Sequence, residues 1–137
     1  MMPLLLDTCA VIWLAEEAPI AKAAQDAVAD AADNEQPVYI SPISAWEIGL
    51  LVANGRLRLI ASPEAWFERV LARAEVSLTN LSAQTLISSS FLPGAPPRDP
   101  ADRILLATAR EKNFCIVTRD THLLRYAGEG HVKALAC

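Results

Sequence analysis

Short apolar runs recur along this chain, and each is followed at once by a stretch in which apolar residues return at helical spacing. Residues 4–6 are Leu-Leu-Leu, Asp7 stops the run, and residues 8–16 carry the patterned stretch, so the chain opens as a strand feeding a helix. The same alternation predicts strands over 38–41, 76–79 and 114–118 and an edge strand over 132–134. Strands joined through helices lie parallel, which makes the expected fold α/β: one domain over 1–137, a central parallel β-sheet flanked by α-helices on both faces.

Helix boundaries follow from local chemistry. Pro19 reads as a first-turn proline for a helix running to about Asp33, and Ser44 as the start of a helix that Asn54 and Gly55 end. Ser62 and Pro63 form an N-cap and first-turn pair for a helix with Phe67, Val70, Leu71 and Ala74 on one face. Residues 82–91 read as helical, and 92–98, holding Pro93, Gly94, Pro96 and Pro97, as a loop. Asp99 and Pro100 open the most apolar helix, whose residues 104–107 leave almost no polar side and imply burial. Asp120 opens a short helix through Tyr126.

Of the 137 residues, 53% are hydrophobic and 20% charged, which supplies a core and argues against disorder. No basic segment precedes the apolar start, and Asp7 interrupts it, so neither a signal peptide nor a membrane span is expected and the cytoplasm is the expected location. Cys9, Cys115 and Cys137 are an odd set with no CxxC spacing, which suits reduced thiols. Cys9 and Cys115 are expected as small buried hydrophobes, and Trp13, Trp46 and Trp66 as core.

Four acids fall in one kind of place. Asp7 ends the first strand, Asp120 lies just past the late strand, and Glu47 and Asp102 are expected in first turns of helices. In an open parallel sheet ligands gather beyond the carboxyl ends of the strands, where helices also begin, so these positions are able to share a crevice. Each acid also has a plainer reading. Ser44-Ala-Trp-Glu47 fits a capping box, Asp99-Pro-Ala-Asp102 an N-cap with an acid in the first turn, and Asp120 and either Asp7 or Thr8 fit caps.

The surroundings favour a site. Asp7 is the only charged residue between Met1 and Ala15, and Glu47 the only one between Ile43 and Ala53. A carboxylate removed from water must neutralise, pair with a cation or bind a metal, and no lysine or arginine is near either in sequence. Converging carboxylates suit a hard divalent ion, Mg2+ or Mn2+, and with it phosphodiester chemistry.

These residues resemble a known family. Leu-Leu-Leu-Asp7-Thr8-Cys9-Ala-Val-Ile-Trp, Ile-Ser41-Pro-Ile-Ser-Ala-Trp46-Glu47-Ile with Gly55-Arg56-Leu57-Arg58-Leu59, Arg98-Asp99-Pro100-Ala-Asp102-Arg103-Ile-Leu-Leu-Ala-Thr-Ala, and Val117-Thr118-Arg119-Asp120 are similar, in order and spacing, to the acidic blocks of PIN-domain ribonucleases. Within that family they resemble VapC-like toxins of type II toxin–antitoxin pairs. The resemblance implies a PIN fold and a magnesium-dependent endoribonuclease, with Asp7, Glu47, Asp102 and Asp120 as catalytic, metal-holding residues. It also implies that Thr8 and Thr118 hold carboxylates or waters by their hydroxyls, and that Asp99 either caps its helix or adds a fifth acid. Relatives often carry His, Asn or Ser where Cys9 stands. A VapB-like antitoxin that blocks the site and a homodimer are further implications.

A net charge of −4 opposes RNA binding. Setting aside Asp7, Glu47, Asp99, Asp102 and Asp120 leaves a balance of +1, and Arg56, Arg58, Arg98, Arg103, Arg119 and Arg125 lie in or beside the same blocks as candidates for RNA phosphate. Two rival readings stay open: a catalytically silent PIN-like binding module whose acids are only caps, and an aspartate-based phosphoreceiver or phosphatase. Against the latter, Cys9 stands where such a phosphatase has a second aspartate, and Arg119 where a receiver has lysine.

Overall fold

Leu4, Leu5 and Leu6 form β1 (Leu4–Leu6), the middle strand of a five-stranded, all-parallel sheet with order β3-β2-β1-β4-β5. The computed structural model describes residues 2–137. The other strands are β2 (Val38–Ile40), β3 (Val76–Leu78), β4 (Cys115–Thr118) and β5 (Lys133–Ala136). The helices are α1 (Thr8–Glu16), α2 (Lys22–Asp33), α3 (Pro42–Ala53), α4 (Pro63–Leu71), α5 (Ala83–Ser88), α6 (Pro100–Lys112) and α7 (Thr121–Gly128). This is the expected parallel α/β architecture.

Period-two alternation divides the core between the two faces of the sheet. Leu4 and Leu6 join Val38, Ile40 and Val117 in a cluster with α1, α2, α4 and Ile48 of α3. Leu5 and Ile116 point the other way, onto Leu105 and Leu106 of α6 and Leu123 and Tyr126 of α7. Of residues 104–107, Leu105, Leu106 and Ala107 are buried as expected, and Ile104 is half-buried. Tyr39 and Phe114 stack on that same face with centroids 4.8 Å apart.

The strand order reverses between β1 and β4. Chain connections run outward from this pair on either side, leaving a crevice above their carboxyl ends. Leu6 pairs with Val117, and the Asp7 N–H donates to the Val117 carbonyl at 3.1 Å, so the residues leaving both strands emerge side by side.

Several boundaries differ from expectation. The third helix starts at Pro42, not Ser44, because Pro42 supplies the preset first-turn φ and Ser41 caps it, accepting from the Ile43 N–H at 3.1 Å. Ser41 therefore ends β2 one residue early, and the proposed Ser44–Glu47 capping box does not exist; Glu47 lies in the second turn. Pro19 is not in a helix. Glu17, left-handed at φ 54°, closes α1 with Ala18 donating to the Trp13 carbonyl, so residues 18–20 serve as a connection and α2 waits until Lys22. Helix α5 is shorter than 82–91, β4 begins at Cys115, and β5 is displaced from 132–134 to Lys133–Ala136. The loop over 92–98 is as expected. It is pinned to α7 by Tyr126 Oη donating to the Pro93 carbonyl at 2.6 Å and by Arg125 donating to the Ala95 carbonyl at 2.8 Å. Gly94 (φ 71°) lies so close to Glu129 and His131 that a Cβ would stand 2.7 Å from His131 Nε2.

Candidate active site

Asp7 leaves β1 and caps α1 in the same step. Its Oδ1 accepts from the Ala10 N–H at 2.8 Å, and its Oδ2 accepts from the Thr118 hydroxyl at the end of β4. Thr118 Oγ1 also accepts from the Asp120 N–H at 2.9 Å, so one buried hydroxyl joins the residues that follow the two central strands. Asp120 caps α7 with Oδ1, which accepts from His122 and Leu123 at 2.7 and 3.1 Å.

The other two acidic elements close in from the helices. Asp99 caps α6 with Oδ1, accepting from Ala101 and Asp102 at 2.8 and 3.2 Å. Asp102, one turn in, makes no side-chain hydrogen bond among the described residues, though its backbone is bonded. Glu47 accepts from the Thr8 hydroxyl, which lies 3.1 Å from the Ser44 hydroxyl. Ser44 was read only as a cap. It stands instead three residues before Glu47 on the same helix face, a spacing that was available to find it.

Asp7, Glu47, Asp99, Asp102 and Asp120 all line one cleft of about 290 Å3, together with Thr8, Cys9, Trp13, Leu105 and Arg119. A larger groove of about 540 Å3 between α1 and α2 is mostly apolar and holds none of these five acids, which gather in the smaller cleft. Asp7 is only 5% exposed. Burial raises its carboxyl above the ordinary range, with Asp120 adding to the rise while the Thr118 and Ala10 bonds oppose it. Burial also raises Glu47 against the Thr8 bond, helped by Asp99, Asp7 and Asp120. Asp102 is pushed up to about 7 by burial and by the charges of Asp99, Asp120, Glu47 and Asp7.

Cys9 is not a buried hydrophobe. Cys9 stands open on the cleft because it follows the capping pair on the outer side of α1, and the partial desolvation of its sulfur there, with the charges of Asp7, Glu47, Asp120 and Asp102, pushes its thiol up to about 11. Cys115 is half-buried. Trp66 is core, Trp13 half-buried, and Trp46 is 53% exposed because α3 turns it away from the sheet.

The arginines divide. Arg119 lines the cleft but is held by the Trp13 ring, 4.0 Å from its centroid, and by the Cys137 carbonyl at 3.2 Å. Arg103 donates to the Pro97 carbonyl at 2.7 Å, and Arg125 pairs with Glu129 at 2.9 Å. Arg56 lines an adjoining cleft that shares Glu47 and Asp99, Arg58 lines a separate one, and Arg98 is exposed.

Hard oxygen donors crowded without a free lysine or arginine among them suit a divalent cation. Among the described residues no three His, Cys, Asp or Glu side chains are already drawn into a tight cage.

Fold and cleft together define an α/β domain whose chemistry is concentrated in a carboxylate pocket at the carboxyl edge of the sheet. A family model for the PIN domain matches residues 4–129, and the chain belongs to that family. It is 31% identical over 125 residues to Ribonuclease VapC22 of Mycobacterium tuberculosis, covering 90% of this chain and 91% of that protein. Its backbone is similar to VapBC2 from Rickettsia felis bound to a promoter DNA fragment, at TM-score 0.68 and 13% identity over 98% of both chains. DNA-bound VapBC from Salmonella typhimurium matches at TM-score 0.66 and 17% identity, over 99% of this chain and 98% of that one.

Proposed function

We propose that this chain is a metal-dependent endoribonuclease of the VapC type, acting as a single domain and as the toxin of a toxin–antitoxin pair. The observation that carries the reading is the convergence of Asp7, Glu47, Asp102 and Asp120 on one cleft at the strand-order reversal. The relative named as a ribonuclease supports RNA as substrate, and the solved VapBC complexes support an antitoxin as partner.

Mg2+ or Mn2+, when bound, would polarise the scissile phosphate and lower the pKa of an attacking water. Asp7 and Asp102 are the residues best placed to hold it: Asp7 is fixed at both oxygens, and Asp102 has neither oxygen engaged. Asp120 or Glu47 would accept the proton of the water. Thr118 orients Asp7 relative to Asp120, and Thr8 orients Glu47. Asp99 has its second oxygen available to the rim. Action as a homodimer in the cytoplasm completes the reading; among the described residues no helix is long and apolar enough to cross a membrane.

The test is cleavage of RNA by the purified protein with Mg2+, Mn2+ or EDTA. Cleavage that EDTA stops and Asp7→Asn abolishes, with the fold intact, is expected; undiminished cleavage by Asp7→Asn would overturn the assignment. Because Asp7, Asp99 and Asp120 do cap helices, a silent module is the competing reading, and it requires that calorimetry show no specific uptake of Mg2+ or Mn2+.

A further inference from the structure

A polyanion gains nothing from a pocket of five carboxylates until a cation is bound, so a nuclease of this kind must grip RNA elsewhere. The structure separates cations already engaged from those left open. Arg73 is paired with Glu75 at 2.6 Å, Arg110 donates to the His131 carbonyl, and Arg103, Arg119 and Arg125 are held as described. Arg98, Lys112 and Lys133 are exposed without a side-chain hydrogen bond or ion pair among the described residues, and so are Arg56, Arg58 and Arg69.

The last three are not scattered. Exposure alternates along residues 56–60: Leu57 and Leu59 pack against the core, while Arg56, Arg58 and Ile60 face solvent. Arg56 lines the cleft that shares Glu47 and Asp99 with the acidic pocket. Arg58 lines a further cleft of about 300 Å3 between the end of α1 and α4, where Arg69 and the paired Arg73 also face. The acid of that cleft, Glu16, is occupied by the Trp66 indole N–H at 3.0 Å. At 1.5 Å per residue, Ala15 at this cleft lies about 10 Å along α1 from Thr8 at the acidic pocket.

Building on the nuclease reading above, we propose that Arg58 and Arg69 form a phosphate-binding cleft for single-stranded RNA flanking the scissile bond, with Arg56 bridging it to the acidic pocket. Guanidinium groups with no internal partner lose no existing bond on meeting phosphate, and their fork matches two of its oxygens. A carboxylate-bearing protein segment would satisfy the same forks. RNA is favoured because Arg56, two residues from Arg58 on the same exposed side of the segment, lines a cleft that shares Glu47 and Asp99 with the pocket where the backbone is to be cut.

The experiment compares the native chain with Arg58→Ala/Arg69→Ala and Arg58→Glu/Arg69→Glu. Binding of a fluorescent single-stranded RNA is measured by anisotropy in EDTA across a salt series, and cleavage with Mg2+ is measured alongside. The alanine pair should bind about tenfold more weakly at physiological salt, with the slope of log K against log salt shallower by about 1.4, at roughly 0.7 per lost phosphate contact; the glutamate pair should be weaker still. Thermal melts of the native chain and the alanine pair should lie close together, since neither arginine has a side-chain partner to lose, while the glutamate pair should melt slightly lower because Arg69 is in the last turn of α4. A native chain that cleaves RNA while both variants bind with unchanged affinity and slope overturns the phosphate cleft and leaves the nuclease standing. Loss of antitoxin capture with RNA binding intact assigns the cleft to protein and likewise overturns it. A native chain that neither binds nor cleaves RNA removes the nuclease reading itself.

Discussion

Replacing Asp102 by Asn should make the metal-free protein more stable while destroying the function proposed for it. The Asp102 carboxyl stands at about 7 in the fold against an ordinary 3.8, first through burial and then through Asp99, Asp120, Glu47 and Asp7. A folded-state pKa above the unfolded one means that the native state binds more protons. The stabilising contribution is therefore fully present below about pH 4 and is lost as pH rises through about 7. Taken whole, the difference corresponds to about 4 kcal/mol at pH 8, but the side chain is partly solvated, and screening reduces this to about 2 kcal/mol. Asn forfeits the favourable charge of a first-turn acid, about 0.5 kcal/mol, and breaks no side-chain hydrogen bond. The net expectation is a gain of about 1 to 1.5 kcal/mol, or roughly 3 to 6 °C in Tm for a domain of this size. Urea and thermal unfolding at pH 8 in EDTA measure it, and at pH 5 the two proteins should draw together. Saturating Mg2+ should reverse the order, since a ligand at a hundred times its Kd adds about 2.7 kcal/mol to the protein that binds it. A variant no more stable than the native protein at pH 8, or stabilised equally by Mg2+, would refute the idea that this pocket holds unfavourably crowded carboxylates.

Thr118→Val removes the hydroxyl shared by Asp7 and Asp120; RNA cleavage and Mg2+ affinity should each fall about 10- to 100-fold, as for other partners that orient a ligand, and a Thr118→Ser variant should recover most of both. Gly94→Ala forces a Cβ against Glu129 and His131 at a positive φ, and should lower stability by about 1 to 3 kcal/mol in denaturant titrations; an unchanged midpoint would show that the loop yields freely. Cys9 is exposed but its thiol stands at about 11, so iodoacetamide at pH 8 should modify it at least tenfold more slowly than free cysteine, and a rate equal to free cysteine would contradict the acidic surroundings assigned to it.

The parallel sheet was legible because β1, β2 and β4 are apolar runs that polar residues stop, and Asp7 and Asp120 were legible because they stand just past two of those runs, whereas β3 (Val-Ser-Leu) and β5 (Lys-Ala-Leu-Ala) carry no such run. The order β3-β2-β1-β4-β5 was not, since no residue in a three-residue strand names its neighbour. Ser44 was misread because Ser41-Pro42 and Ser44 both look like helix starts, and only the preset φ of Pro42 decides between them. The arginines were the least legible group. Whether Arg103, Arg119 or Arg125 is engaged depends on where the carbonyls of Pro97, Cys137 and Ala95 fall, and those are set by the path of the preceding loop for Arg103 and by residues 18 and 30 positions away for Arg119 and Arg125.

Capping and pocket roles, which looked like rival explanations of each acid, follow from one geometry. A parallel strand ends where a helix begins, so an Asp at that point offers one oxygen to the helix N–H groups and leaves the other facing the crevice. Asp120 does this with Oδ1 alone and Asp7 with its second oxygen held by Thr118, while Asp99 caps α6 in the same manner but follows the 92–98 loop and not a strand. Glu47 and Asp102 cap nothing: Glu47 is tied to Thr8, and Asp102 stays in the cleft with no side-chain partner to offset its burial. Caps account for three of the five acids without a ligand, and the first-turn position of Asp102 contributes only about 0.5 kcal/mol, less than its burial among carboxylates costs. A carboxyl that destabilises the empty fold and caps no helix is explained only if something that binds the cleft repays its presence.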